Sequence, residues 1–191
     1  SIYPKPRIAL RQCNTVGLLL PWAMVCFVSV QGAFGELAFQ QLHELSALYP
    51  NPKFPICKLA VGTDGNFYGT STFGGSNDLG TIFKITYTGE LTTLHSFDGT
   101  DGRRPFGGLV LAADSNFYGT TFGSGVDNYG TVFRINSDDV LTTVAEFGIT
   151  NGAGPRGQLV QGSDGFLYGI TQGGGTSGLG TIFKVTTNGA L

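Results

Sequence analysis

Asp114-Ser115-Asn116-Phe117-Tyr118-Gly119-Thr120, followed by Gly130-Thr131-Val132-Phe133-Arg134, is the stretch on which the fold turns. Fifty residues earlier stand Asp64-Gly65-Asn66-Phe67-Tyr68-Gly69-Thr70 and Gly80-Thr81-Ile82-Phe83-Lys84. Fifty residues later stand Asp164-Gly165-Phe166-Leu167-Tyr168-Gly169-Ile170 and Gly180-Thr181-Ile182-Phe183-Lys184. A fixed period of about 20–50 residues marks a solenoid, a propeller or another repeat array.

Each copy reads as strands. Leu91 to Phe97 is rich in β-formers, and a turn-rich loop, Asp98 to Pro105, follows it. Leu109 to Ala112 is a short apolar run, and Asn116 to Phe122 a second β-type stretch. Between them lies Asp114-Ser115, which is Asp-Gly in the flanking copies. This predicts a two-residue hairpin turn with positive φ at both central positions. A Gly-rich loop, 123–129, leads into Gly130 to Asn136, where Thr131, Phe133 and Ile135 share one face and Val132 and Arg134 the other. Asp138-Asp139, matched by Thr88-Gly89 and Asn188-Gly189, closes the copy. The expectation is an all-β fold, a partial β-propeller of about three four-stranded antiparallel blades. The units are cut at 42–90, 91–140 and 141–190, with Leu191 opening a fourth. Closed propellers take about 4–8 blades. The chain is therefore expected either to be the N-terminal part of a longer repeat protein or to complete a ring with other chains.

Composition narrows the class. Charged residues are 13% of the chain against a usual value of about 25%, so Thr, Ser, Asn and Gly must keep the surface wet. The 31 glycines in 191 residues lack a three-residue period, which excludes collagen. The 15 Phe and 7 Tyr exclude a disordered Gly-rich linker. A net charge of −2 offers no electrostatic basis for binding nucleic acid or an anionic membrane surface.

Residues 1–35 differ from the rest. Lys5, Arg7 and Arg11 precede an apolar run from Val16 to Val30 that Pro21 interrupts. This is the pattern of a signal peptide, with cleavage expected after Gly32 or Gly35; the run is short for a spanning helix. Export would follow, and the repeat domain would occupy 36–191. Cys13, Cys26 and Cys57 form no disulfide framework, and no Cys/His pair stands at zinc-ligand spacing. No cofactor is expected.

The run Leu109-Val110-Leu111-Ala112-Ala113-Asp114-Ser115-Asn116-Phe117-Tyr118-Gly119, the Gly-rich loop, Gly130-Thr131-Val132-Phe133-Arg134-Ile135 and Leu141-Thr142-Thr143-Val144 together resemble the tandem repeat of the choice-of-anchor GloVer family. The resemblance covers 42–191. It implies a bacterial exported protein with propeller-like blades, often held at the cell surface by a C-terminal segment. It implies no catalytic residue.

Candidate sites are weighed against architecture. Tyr68, Tyr118 and Tyr168 could form a sugar platform, but recurrence in every copy points to packing between blades. Asp64, Asp114 and Asp164 could hold calcium, yet each lacks a second carboxylate nearby, so turn formation is the better account. The Gly-rich loops lack the lysine of a phosphate cradle. No nucleophile elbow is present, and His43 and His95 have no partner at a recognisable spacing. The parts that differ between copies are the loops. Asp101, Arg103 and Arg104 in one loop and Asp127 and Asn128 in another are the expected contact residues, because loops on a rigid scaffold carry binding. The expected function is a non-catalytic exported binding or scaffold module for a surface glycan or protein. A membrane would be met only through the signal segment or a C-terminal anchor. The alternatives are a propeller-type glycan hydrolase or lyase and a purely structural surface array.

Overall fold

In the computed structural model, β-rich sequence and tight turns build the described residues into sheets whose paired strands are antiparallel. The structure describes residues 40–45, 51–124 and 127–191. The expected signal segment, 1–35, lies outside them. From Gln41 onward the chain forms one unit.

The first sheet takes β2 (Ala60–Val61), β3 (Phe67–Ser71), β5 (Thr81–Ile85) and β6 (Leu91–Ser96), in the order β2-β3-β5-β6. The second repeats it with β7 (Val110–Leu111), β8 (Phe117–Thr121), β9 (Thr131–Ile135) and β10 (Leu141–Glu146). The third holds β12 (Val160–Gln161), β13 (Leu167–Gly173) and β14 (Ile182–Val185), all antiparallel. A smaller pairing also recurs. β1 (Pro52–Lys53) pairs with β4 (Phe73–Gly74), Arg103 bridges Gly123, and β11 (Ala153–Pro155) pairs with the far end of β13.

The sheets are out of phase with the cuts at 42–90, 91–140 and 141–190. Leu91–Ser96 does not open the sheet of 110–135; it closes the sheet before it. The reason is connection length. The tight turn at 86–90 leaves β6 no neighbour but β5, whereas the long link 97–109 can cross to the next sheet.

The hairpins also differ from expectation. At 62–66, Gly65 N–H donates to Gly62 O (3.0 Å) and Gly62 N–H to Asn66 O (2.8 Å), so the loop has three residues rather than two. Only its last residue has positive φ: Gly65 at 77°, Ser115 at 65° and Gly165 at 84°. The second turn of each copy repeats the form at Gly89, Asp139 and Gly189. This three-residue loop ends on a left-handed residue. Ser115 holds that conformation against its Cβ, which costs about 1–2 kcal/mol before the unfolded-chain entropy of glycine is set against it. Ser115→Gly should therefore stabilise the domain by up to about 1 kcal/mol and raise Tm by about 2–4 °C in a thermal melt. An unchanged or lower Tm would contradict this account of the turn.

Strand alternation divides the apolar residues between two faces. Tyr68, Ile82 and Leu94 on the back of the first sheet pack against Leu109, Phe117, Phe133 and Ile135 on the front of the second. Tyr118, Val132, Val144 and Ala145 on the back of the second meet Leu159, Leu167, Phe183 and Val185 on the front of the third. A bulge in β6 and again in β10 falls at Leu94 and Val144, the residues that join these layers. Each fully buried Leu, Ile or Phe contributes about 1.5–3 kcal/mol through apolar burial. Polar stitches also join one repeat to the next. Thr70 Oγ1 donates to Gly107 O at 2.9 Å and Gln158 Nε2 to Leu109 O at 2.6 Å. These are propeller blades stacked face to face.

Candidate binding surface at the loop end

A four-stranded meander sends its first and third turns to one end and its remaining connections to the other. The two ends differ in chemistry.

At the turn end, each repeated Asp and Tyr forms a clamp. Tyr68 OH donates to Asp64 Oδ2 at 2.9 Å, Tyr118 OH to Asp114 Oδ2 at 2.7 Å and Tyr168 OH to Asp164 Oδ2 at 2.6 Å. The other oxygen, Oδ1, accepts the backbone N–H two residues on. The carboxylates are therefore engaged in shaping the turn, and Tyr68 and Tyr118 in joining one blade to the next. Burial pushes Asp114 upward, but the donors Tyr118 and Asn116 outweigh it and hold the carboxyl below its ordinary range. Burial, then the Asp114 carboxylate, pushes the Tyr118 phenol up to about 12. Among the described residues no three His, Cys, Asp or Glu side chains gather as a metal site.

The loop end gathers the parts that differ between copies. In loop 123–129, Asn128 Oδ1 accepts Ser124 N–H at 2.8 Å, and both residues have positive φ. Asp78 makes the same brace to Gly74 N–H at 2.9 Å, and also pairs with Lys53 at 3.0 Å. Gly178 has no side chain with which to do so. In the loop after β6, Asp98 Oδ1 accepts from Thr100 Oγ1 (2.6 Å), Thr100 N–H (2.8 Å) and Asp101 N–H (3.3 Å). These donors, Thr100 first, bring Asp98 down to about 2.

The expected contact residues do not all converge. Arg103 and Asn128 line one shallow cleft of about 260 Å³, with Leu79, Gly99 and Ser124. Two backbone bonds to Gly123 (3.2 and 3.3 Å) hold Arg103 there, and no carboxylate pairs with its guanidinium among the described residues. Asp101 stands apart from the cleft lining, its Oδ2 2.6 Å from His95 Nε2. Arg104 is exposed and lies 5.6 Å from the Phe73 ring centre. Asp127 is exposed at the loop tip.

Two features escaped the sequence. The His95–Asp101 pair joins a strand to a loop, and no motif spacing announces it. The other is a hydroxyl pair in every copy, Ser71–Thr81 at 2.7 Å and Thr121–Thr131 at 2.7 Å, both buried, and Thr171–Thr181 at 2.9 Å, partly buried. Its ten-residue spacing, constant across copies, was the available signal. The His95–Asp101 pair is only half of a hydrolytic arrangement. Among the described residues no nucleophile reaches the other ring nitrogen.

Fold and loop surface together define a repeat protein built of propeller-type blades. The chain belongs to the Gloeobacter/Verrucomicrobia repeat family, whose model matches residues 34–191. No curated protein matches it. Among solved structures it is similar to an X-ray structure of a candidate gluconolactonase, at 15% identity and a TM-score of 0.45, covering 74% of this chain and 46% of that one. The chain thus spans a little under half of that structure's length.

Proposed function

We propose that this chain is a non-catalytic, exported repeat module that binds a surface polymer through the loop end of its blades. The observation that carries this reading is the placement of Arg103. Its guanidinium, a fixed fork of donors, borders an open cleft beside Leu79, Ser124 and Asn128 with no carboxylate of the described residues to satisfy it. Such a surface suits a hydroxyl- or carboxylate-bearing glycan laid across it. The cleft lies just below the roughly 300–1,000 Å³ usual for enclosed small-molecule sites. Export is supported by the basic start and the apolar run 16–30.

The test is retention on immobilised acidic and neutral bacterial polysaccharide fragments. Arg103→Ala should weaken retention tenfold or more, since a hydrogen bond from a charged group contributes about 1.5–3 kcal/mol. Replacement of loop 123–129 should abolish it. Retention equal to wild type in both variants would sink the assignment of this cleft. The alternative of a glycan hydrolase rests on the His95–Asp101 pair; His95→Gln abolishing turnover of a retained glycan would favour it.

A further inference from the structure

Two positions at the loop end hold the same backbone in every copy but a different pair of side chains. Lys53, Arg103 and Ala153 are equivalent, and each faces the equivalent of Gly123 across an antiparallel pairing. Asp78, Asn128 and Gly178 are equivalent, and all have positive φ, at 56°, 61° and 71°. In the first copy the pair is closed. Lys53 Nζ lies 3.0 Å from Asp78 Oδ1, which also accepts Gly74 N–H at 2.9 Å. In the third copy Ala153 and Gly178 remove both partners. The second copy keeps the cation and loses the carboxylate. Asn128 retains the brace, accepting Ser124 N–H at 2.8 Å, but carries no charge. Arg103 and Asn128 still stand together: a Cβ on Gly123 would lie 2.6 Å from Arg103 Nε and 3.0 Å from Asn128 Oδ1.

We propose that the Arg103 cleft, taken as the glycan site proposed above, is selective for carboxylates, so that its polysaccharide is one bearing uronate groups. A carboxylate from outside restores at Arg103 the charge balance that Asp78 supplies at Lys53. The guanidinium fork can receive both of its oxygens. A neutral sugar leaves the charge uncompensated. The carboxylates of the loop after β6 are directed elsewhere. Asp98 accepts from Thr100, and Asp101 lies against His95. Asp127, beside Asn128, is exposed and forms no ion pair among the described residues.

The test is retention of the 191-residue chain on immobilised oligogalacturonate, against the same oligomer with its carboxylates reduced to hydroxymethyl groups. Wild type should hold the acidic oligomer about tenfold or more tighter, the usual effect of hydrogen bonds to a charged group. Asn128→Asp should bring the two retentions together, because it gives Arg103 the partner that Lys53 already has. Asp78 shows that aspartate fits this backbone, and circular dichroism reports whether the variant stays folded. Equal retention of the two oligomers by wild type overturns the proposal whatever the variant does. So does a folded Asn128→Asp that keeps the preference, or polyglutamate held as tightly as oligogalacturonate, which would make the partner an acidic peptide. Arg103→Ala separates this failure from that of the cleft itself. If it weakens both oligomers equally, the cleft takes a glycan without regard to charge. If it weakens neither, the cleft is not the glycan site.

Discussion

Gly119→Ala is expected to destabilise the domain by about 1–3 kcal/mol, the usual cost of forcing an extra carbon into a packed core. The cause is contact alone. Gly119 does not have positive φ, so alanine is conformationally allowed there. A Cβ at this position would lie 2.5 Å from Phe133 Cζ, 3.0 Å from its Cε1 and 3.1 Å from Leu109 Cδ2. Phe133 and Leu109 are completely buried, and the Phe133 ring stands edge-on to Phe97 at 5.5 Å, so it has nowhere to retreat. The same collision recurs at Gly69 with Phe83 and at Gly169 with Phe183. Chemical denaturation provides the measurement. Gly148→Ala is the control, because the nearest atom to its added carbon is Asn151 Oδ1 at 3.8 Å. Against total stabilities of about 5–15 kcal/mol the difference is readily resolved. Equal midpoints for the two variants would show that the repeated Tyr-Gly pair is not a packing device. Phe133→Leu combined with Gly119→Ala should recover part of the loss, since the two residues share one space.

Tyr118→Phe should cost about 1–3 kcal/mol at neutral pH, because it removes a phenol that donates at 2.7 Å to the Asp114 carboxylate. The pH dependence follows from the same pair. Asp114 is held below its ordinary range in the folded chain, so its contribution is complete above the unfolded carboxyl value near 4 and is lost as pH falls through the folded value. The tyrosines act at the other extreme. Burial, with the neighbouring carboxylate second, raises Tyr68 and Tyr118 to about 12. Their contribution is complete below the unfolded phenol value near 10, and falls as pH rises from there to about 12. Wild-type stability measured across pH should therefore fall off at both ends. In Tyr118→Phe both falls should be shallower, the alkaline one because the phenol is gone and the acid one because Asp114 has lost a donor that lowers it. Alkaline limbs that superimpose would mean that Tyr118 does not titrate against folding.

Much of the architecture was written in the residues. The period of fifty, the β-type stretches and the turn signals sufficed for all-β blades, because each is a local preference repeated in register. The assignment of Tyr118 to packing rested on recurrence, and that of Asp114 to the turn on the lack of a second carboxylate nearby. The Tyr–Asp hydrogen bond that joins these roles depends on two strands lying side by side, so it came only with the fold. The candidate site was less legible. Arg103, Arg104 and Asp101 are close in sequence, yet strand geometry sends Arg103 to the cleft, Arg104 to Phe73 and Asp101 to His95.

By itself the sequence determined the repeat, the strand faces and the apolar residues that would be buried. These follow from side-chain alternation and short-range turn chemistry. The tertiary structure alone decided where one blade ends and the next begins, because that depends on which connection is too short to leave its sheet.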